Sequence, residues 1–113
     1  MKYCIEFTFG AGFDKDQRII TISQRDGALE FIKRNAVELF DGYTMFSTAG
    51  GWKSPDGRIV EEAGYVLRVL TLTPAIDAFG WSASVMAMSD CIKYALSQQC
   101  VCVTASQVAC DML

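Results

Sequence analysis

Glu61 and Glu62 stand side by side in an otherwise apolar run, within the segment GGWKSPDGRIVEEAGYVLRV that begins at Gly50. The segment reads as a β-hairpin. An ionised carboxylate in a half-buried strand is costly unless it meets a cation or hydrogen-bond donors. A neighbouring Arg or Lys, a partner chain or a cationic ligand should therefore face these glutamates. Successive strand residues point to opposite faces of a sheet, so the two cannot form a same-face carboxylate dyad of the kind glycosidases and aspartic proteases use. The plain reading of Glu62 is a rim ion pair with Arg68 or Arg58; the functional one is recognition of a cationic ligand.

Other residues carry weaker signals. Trp52 follows Gly50-Gly51, where close backbone approach or a bulge is easy. Its indole is either a packing anchor or a platform for a purine or a cation, and Tyr43 and Tyr65 share that ambiguity. Gln98-Gln99 falls where a helix meets the last strand, as a solvated helix end or as an amide that fixes a ligand. Gly10-Ala11-Gly12 follows a strand but lacks the full dinucleotide fingerprint, so no phosphate loop is expected.

The chain has no histidine. That excludes Ser-His-Asp and Cys-His catalysis and a His-based zinc centre. Chemistry here must use carboxylates, tyrosines, amides, backbone dipoles or the substrate's own groups. The five cysteines, Cys4, Cys91, Cys100, Cys102 and Cys110, are odd in number and form no C-x-x-C. They are expected to be buried small hydrophobes with no metal and no cofactor attached.

The elements that must position these residues follow from periodicity. Residues 3–9 alternate, with Tyr3, Ile5, Phe7 and Phe9 on one face and Cys4, Glu6 and Thr8 on the other, a half-buried strand. Asp14 to Ser23 is a polar connection. Ser23-x-x-Asp26 can cap a helix, along which Leu29, Ile32, Ala36, Leu39 and Phe40 recur at helical spacing, with Gly42 as the residue past its end. Tyr43 to Ala49 reads as a second strand, Pro55-Asp56-Gly57 as a turn and Ile59 to Leu72 as a third strand. Tyr65, Leu67 and Val69 give the third strand an apolar odd face, and Glu62, Gly64 and Arg68 lie on its even face. Ser82 can cap a second helix, on which Trp81, Val85, Met88, Ile92 and Leu96 repeat. Cys100 to Thr104 is the last strand, followed by an apolar tail. The order β-α-β-β-α-β suits an α+β, ferredoxin-like sandwich with an antiparallel sheet and both helices on one face.

Length and composition set the outer bounds. The 113 residues suit one domain, and 51% hydrophobic content is enough for a core with apolar surface to spare. That surplus suggests a homo-oligomer. The formal net charge of −3, with no basic run interleaved with aromatics, argues against nucleic-acid binding. No apolar stretch reaches the ~20 residues that span a bilayer, and the N-terminus lacks a signal-peptide core, so a cytoplasmic location is expected.

Gly51-Trp52, Glu62 about ten residues on, the Val66-x-Arg68-Val69 strand, and a helix ending in Gln98-x-Cys100-Val101 resemble the phage S-adenosylmethionine lyases, formerly called S-adenosylmethionine hydrolases. That family carries a Gly-x-aromatic hairpin, a Glu-Glu pair leading into Val-Arg-Val, and a helix running into Gln-Asp-Cys-Val. The likeness covers roughly residues 50–103 as short motifs. Trp52 stands where a hairpin tyrosine is expected, which puts any role for a phenol in doubt. The hairpin also resembles a family of small bacterial domains of unknown function.

The resemblance implies a ferredoxin-like trimer with sites between subunits. It implies conversion of S-adenosylmethionine to methylthioadenosine and homoserine lactone, and through loss of the methyl donor an anti-restriction role in the host cytoplasm. Glu62 would bind the substrate ammonium or balance the sulfonium, Gln98 would hold the ligand by its amide, and Trp52 would pack on it. Glu61 stands in reserve should the strand parity slip by one, and Tyr43 is a further binding candidate. A non-enzymatic small-molecule sequestering module and a partner-binding inhibitor on the same fold are the alternatives.

Overall fold

Alternation builds the sheet. The computed structural model describes residues 2–111 and Leu113. Strand β1 (Lys2–Gly10) lies at the middle of a four-stranded antiparallel sheet of order β2-β3-β1-β6, with β2 (Thr44–Lys53), β3 (Ile59–Thr71) and β6 (Cys102–Val108). Helices α1 (Ile22–Phe40) and α2 (Ala83–Leu96) complete the ferredoxin-like order. A two-residue ribbon, β4 (Ile76–Asp77) with β5 (Gly80–Trp81), sits before α2.

The odd residues of β1 and β3 face the helices. Ile5, Phe7, Phe9, Leu67 and Val69 are buried against Leu29, Ile32 and Ala36 of α1 and Val85, Met88, Ile92 and Leu96 of α2. Phe7 meets Phe40 with ring centroids 6.3 Å apart, and Tyr65 packs on Phe9 at 6.2 Å, as its parity with Leu67 predicts. The even face carries no helix. There Glu6 and Arg68, directly opposed in register, form an ion pair at 3.0 Å, and the Arg68 guanidinium lies 5.2 Å from the centre of the Phe46 ring.

Several boundaries differ from the sequence reading. The first helix begins two residues early, on a Thr21-x-x-Gln24 box. The Gln24 N–H donates to Thr21 Oγ1 at 3.1 Å, and Gln24 Oε1 accepts from the Thr21 N–H at 2.9 Å. This reciprocal pair satisfies two otherwise orphaned donors, which Ser23 and Asp26, already inside the helix, do not. The residue that ends α1 is Asp41, left-handed at φ 65° with its N–H on Val37 O, rather than Gly42; Asp tolerates that region better than most side chains. Ser82 caps α2 as expected, through Val85 N–H.

The final strand starts at Cys102 and runs on to Val108, so residues 105–108 of the expected tail also pair with β1, whose register with this strand runs from Thr8↔Cys102 to Lys2↔Val108. Thr104 to Gln107 lack apolar alternation; backbone pairing at a sheet edge holds them. The cysteines also differ from expectation. Cys100, Cys102 and Cys110 are exposed, and Cys4 and Cys91 are half-buried, so none is the fully buried small hydrophobe the sequence suggests. No helix is long and apolar enough to cross a membrane among the described residues.

Candidate functional site

The β2–β3 ribbon outruns the rest of the sheet. Pairing of β1 with β3 stops at Gly10↔Gly64, whereas β2 and β3 continue from Ala49↔Ala63 to Lys53↔Ile59. The overhang is visible in the dimensions: the radius of gyration is 14.9 Å, against ~13 Å for a compact chain of this length. A tight turn closes the ribbon. Ser54 N–H donates to Arg58 O at 2.8 Å, Gly57 N–H donates to Ser54 O at 2.9 Å, and Gly57 takes the positive φ of 86° that glycine alone adopts freely. The Ser54 hydroxyl, then the Arg58 N–H and guanidinium, hold the exposed Asp56 carboxyl below its ordinary value.

Register sorts the ribbon into two faces. Trp52 opposes Val60 and Gly50 opposes Glu62, so Trp52, Val60 and Glu62 share one face. Gly51, Ile59 and Glu61 share the other. The Trp52 face looks into a cavity of 220 Å³ beyond the end of β1. Gln98, Gln99 and Cys100, from the passage between α2 and β6, form a second wall. Phe13, Asp14, Lys15 and Gln17, from the loop after β1, form the third. Trp52, Glu62 and Gln98 thus meet although 46 residues separate the first from the last.

The Glu62 side chain lies over Gly10. A Cβ added to Gly10 would come within 2.7 Å of the Glu62 carboxyl carbon, and one on Gly12 would touch its Cγ at 3.7 Å. The missing side chain at position 10 is therefore the notch that seats the carboxylate. Gly64 serves the backbone instead: a Cβ there would strike the carbonyl of Phe9. Neither cation considered for Glu62 reaches it. Arg68 is taken by Glu6, and Arg58 by Asp56 at 2.8 Å. Among the described residues no Lys or Arg lies within 4.0 Å of the Glu62 carboxylate.

Gln98 is more committed than its position suggests. Its Nε2 donates to Phe13 O at 2.8 Å and to Leu96 O at 3.1 Å, which uses both amide hydrogens to tie the loop to the end of α2. Only Oε1 is left to face a ligand. The loop is tied again by Lys15 N–H on Ser97 O at 2.7 Å.

Glu61 and Tyr43 stand apart from this cavity. Glu61 faces a furrow of 470 Å³ beside Ala49, Ile59 and Ala63, along the ribbon alone. Tyr43 precedes β2 and lies seven residues before Gly50, about 23 Å along a strand. Lys15 and Phe13 are wall residues that periodicity does not find, because the loop after β1 has none. The only local signal there is Asp14, whose Oδ1 accepts from the N–H groups of Asp16 and Arg18, both at 2.9 Å. No group of three or more His, Cys, Asp and Glu able to hold a metal occurs among the described residues.

No protein-family model and no curated protein sequence matches the chain. Among solved structures it is similar to a phage SAM lyase in complex with S-methyl-5′-thioadenosine, with a TM-score of 0.60 and 17% identity over 94% of this chain and 81% of that one. It is also similar to the periplasmic divalent cation tolerance protein CutA from Archaeoglobus fulgidus, with a TM-score of 0.56 and 13% identity over 99% of this chain and 88% of that one. At such identities the likeness is one of fold: both neighbours share the ferredoxin-like α+β architecture derived above from residue alternation.

Proposed function

We propose that the protein is an S-adenosylmethionine lyase whose site is the cavity at the end of β1. One observation carries the reading: Trp52, the unpaired Glu62 and Gln98 converge on a single cavity, on a fold similar to that of a phage SAM lyase. In the reaction the substrate's own carboxylate oxygen attacks its γ-carbon. The new C–O bond closes homoserine lactone, the C–S bond breaks, and the sulfonium sulfur keeps the electron pair as the neutral thioether of methylthioadenosine. No proton moves, so the absence of histidine is no obstacle.

The physics suits a partly dry crevice. Carboxylate and sulfonium charges disappear as the bond forms, so surroundings poor in water favour the transition state over the charged ground state. Holding the chain curled supplies further acceleration through proximity. Glu62 would receive the ammonium or balance the sulfonium, Trp52 would pack on the ligand, and Gln98 Oε1 would accept a hydrogen bond from it. Glu61 and Tyr43 have no part in this cavity within one chain.

The cavity volume of 220 Å³ falls below the ~300–1,000 Å³ of typical ligand sites. A second copy lying against the projecting ribbon would complete it, and a homotrimer is the assembly we favour. A phage-encoded enzyme of this kind would drain the host's methyl donor and blunt restriction.

The test is incubation of the purified protein with S-adenosylmethionine, with chromatography for methylthioadenosine and homoserine lactone. Turnover that Glu62→Gln removes, in an assembly of unchanged mass, is the expected result. Tight binding without product would replace the lyase with a sequestering module, and neither binding nor product would leave a partner-binding protein.

A further inference from the structure

Glu62 is not the only unmatched charge at the cavity. Lys15 forms part of the loop wall, and among the described residues no carboxylate lies within 4.0 Å of its ammonium. Its backbone is fixed rather than free. Lys15 N–H is bonded to Ser97 O at 2.7 Å, and the neighbouring Phe13 O accepts from Gln98 at 2.8 Å. The remaining charge on that wall, Asp14, spends Oδ1 on two N–H groups of its own turn. Glu62 and Lys15 thus border one cavity of 220 Å³ from different walls without closing on each other. Opposite charges that line one cavity without pairing are complementary to a ligand that carries both a cation and an anion.

An α-amino-carboxylate head is such a group. We propose that this cavity binds the zwitterionic amino-acid end of the ligand, with Glu62 taking the ammonium and Lys15 one oxygen of the carboxylate, so that Lys15 determines specificity. The proposal rests on the lyase reading only for the identity of the rest of the ligand. Under that reading Lys15 aims the carboxylate while its second oxygen stays free to attack. The nucleoside end then lies outside the small cavity, towards a second copy.

The experiment compares two probes by titration calorimetry. S-adenosylhomocysteine has the zwitterionic head and a neutral sulfur; methylthioadenosine has the same nucleoside thioether without the head. The wild-type protein should bind the first about tenfold or more tightly than the second, a charge-assisted contact being the difference. Lys15→Met keeps the apolar stem and removes the charge. It should erase most of that preference and leave methylthioadenosine affinity unchanged, and Lys15→Arg should restore most of it. An equal loss for both probes, no loss for either, or a wild-type protein that prefers methylthioadenosine or binds neither would overturn the proposal.

S-adenosylmethionine turnover, measured alongside, separates the two claims. Preference for the zwitterion without product sinks the lyase and spares the Lys15 assignment. Turnover by Lys15→Met with an unchanged KM sinks the assignment and spares the lyase.

Discussion

The two ends of strand β3 follow the same rule of alternation and reach different ends by it. From Tyr65 to Arg68 the strand is flanked on both sides, by β1 and β2, and its odd face is roofed by α1 and α2. From Ile59 to Ala63 it has one neighbour, β2, and Ile59 is left 78% exposed. Polar chemistry follows that difference. The flanked stretch pairs its one charge, Arg68, with the residue opposite, whereas the overhang carries Glu62, with no Lys or Arg within 4.0 Å of it among the described residues. A charge without a local partner is tolerable where the sheet runs out, because solvent, a ligand or another chain can still reach it.

Mutations can break or sharpen this contrast. Phe7→Ala, at a fully buried position under both helices, should cost ~3–5 kcal/mol of unfolding free energy by chemical denaturation. An equal cost for Trp52→Ala would erase the distinction between core and overhang; near-zero loss of stability is expected there. Gly64→Ala drives a methyl group into the Phe9 carbonyl and should cost about 1–3 kcal/mol. For Gly10→Ala the three nearest atoms to the added methyl group all belong to the far end of the Glu62 side chain. This substitution should therefore leave the denaturation midpoint nearly unchanged while lowering ligand affinity about tenfold, the scale of one displaced charged contact. Destabilisation by Gly10→Ala comparable to that of Gly64→Ala would mean that position 10 serves the backbone and not the carboxylate.

Two smaller effects test the periphery. Burial pushes the half-buried Cys91 thiol above its ordinary value of 9.0. The folded chain then holds that proton longer than the unfolded one, so stability should slip as pH rises from 9 through the raised value, and Cys91→Ala should flatten that slope. Asp56→Ala removes an exposed carboxylate from the ribbon turn and should change global stability by less than ~0.5 kcal/mol.

Legibility in the sequence tracks how local each cause is. Residues 3–9 and Tyr65 to Val69 announce their strands because burial on one face forces period two, and Val85, Met88, Ile92 and Leu96 announce a helix in the same way. Residues 104–108 do not, since an edge strand exposed to solvent needs no apolar alternation and β1 alone recruits it. The β4–β5 ribbon, two residues on each side, is too short for any period to show. At the site, parity separates Glu61 from Glu62 without coordinates, but nothing local tells Gln98 that its amide will be spent on Phe13.

The sequence by itself determined the β-α-β-β-α-β order, which face of β1 and of β3 is apolar, and that any chemistry proceeds without imidazole. These depend on residue type and on spacings of two to four positions. The tertiary structure alone decided that the loop after β1, the ribbon overhang and the end of α2 enclose one cavity, and that Gly10 leaves room for the Glu62 carboxylate. Those outcomes depend on where β1 stops against β3 and on contacts between segments up to 85 residues apart, a distance across which no local pattern carries information.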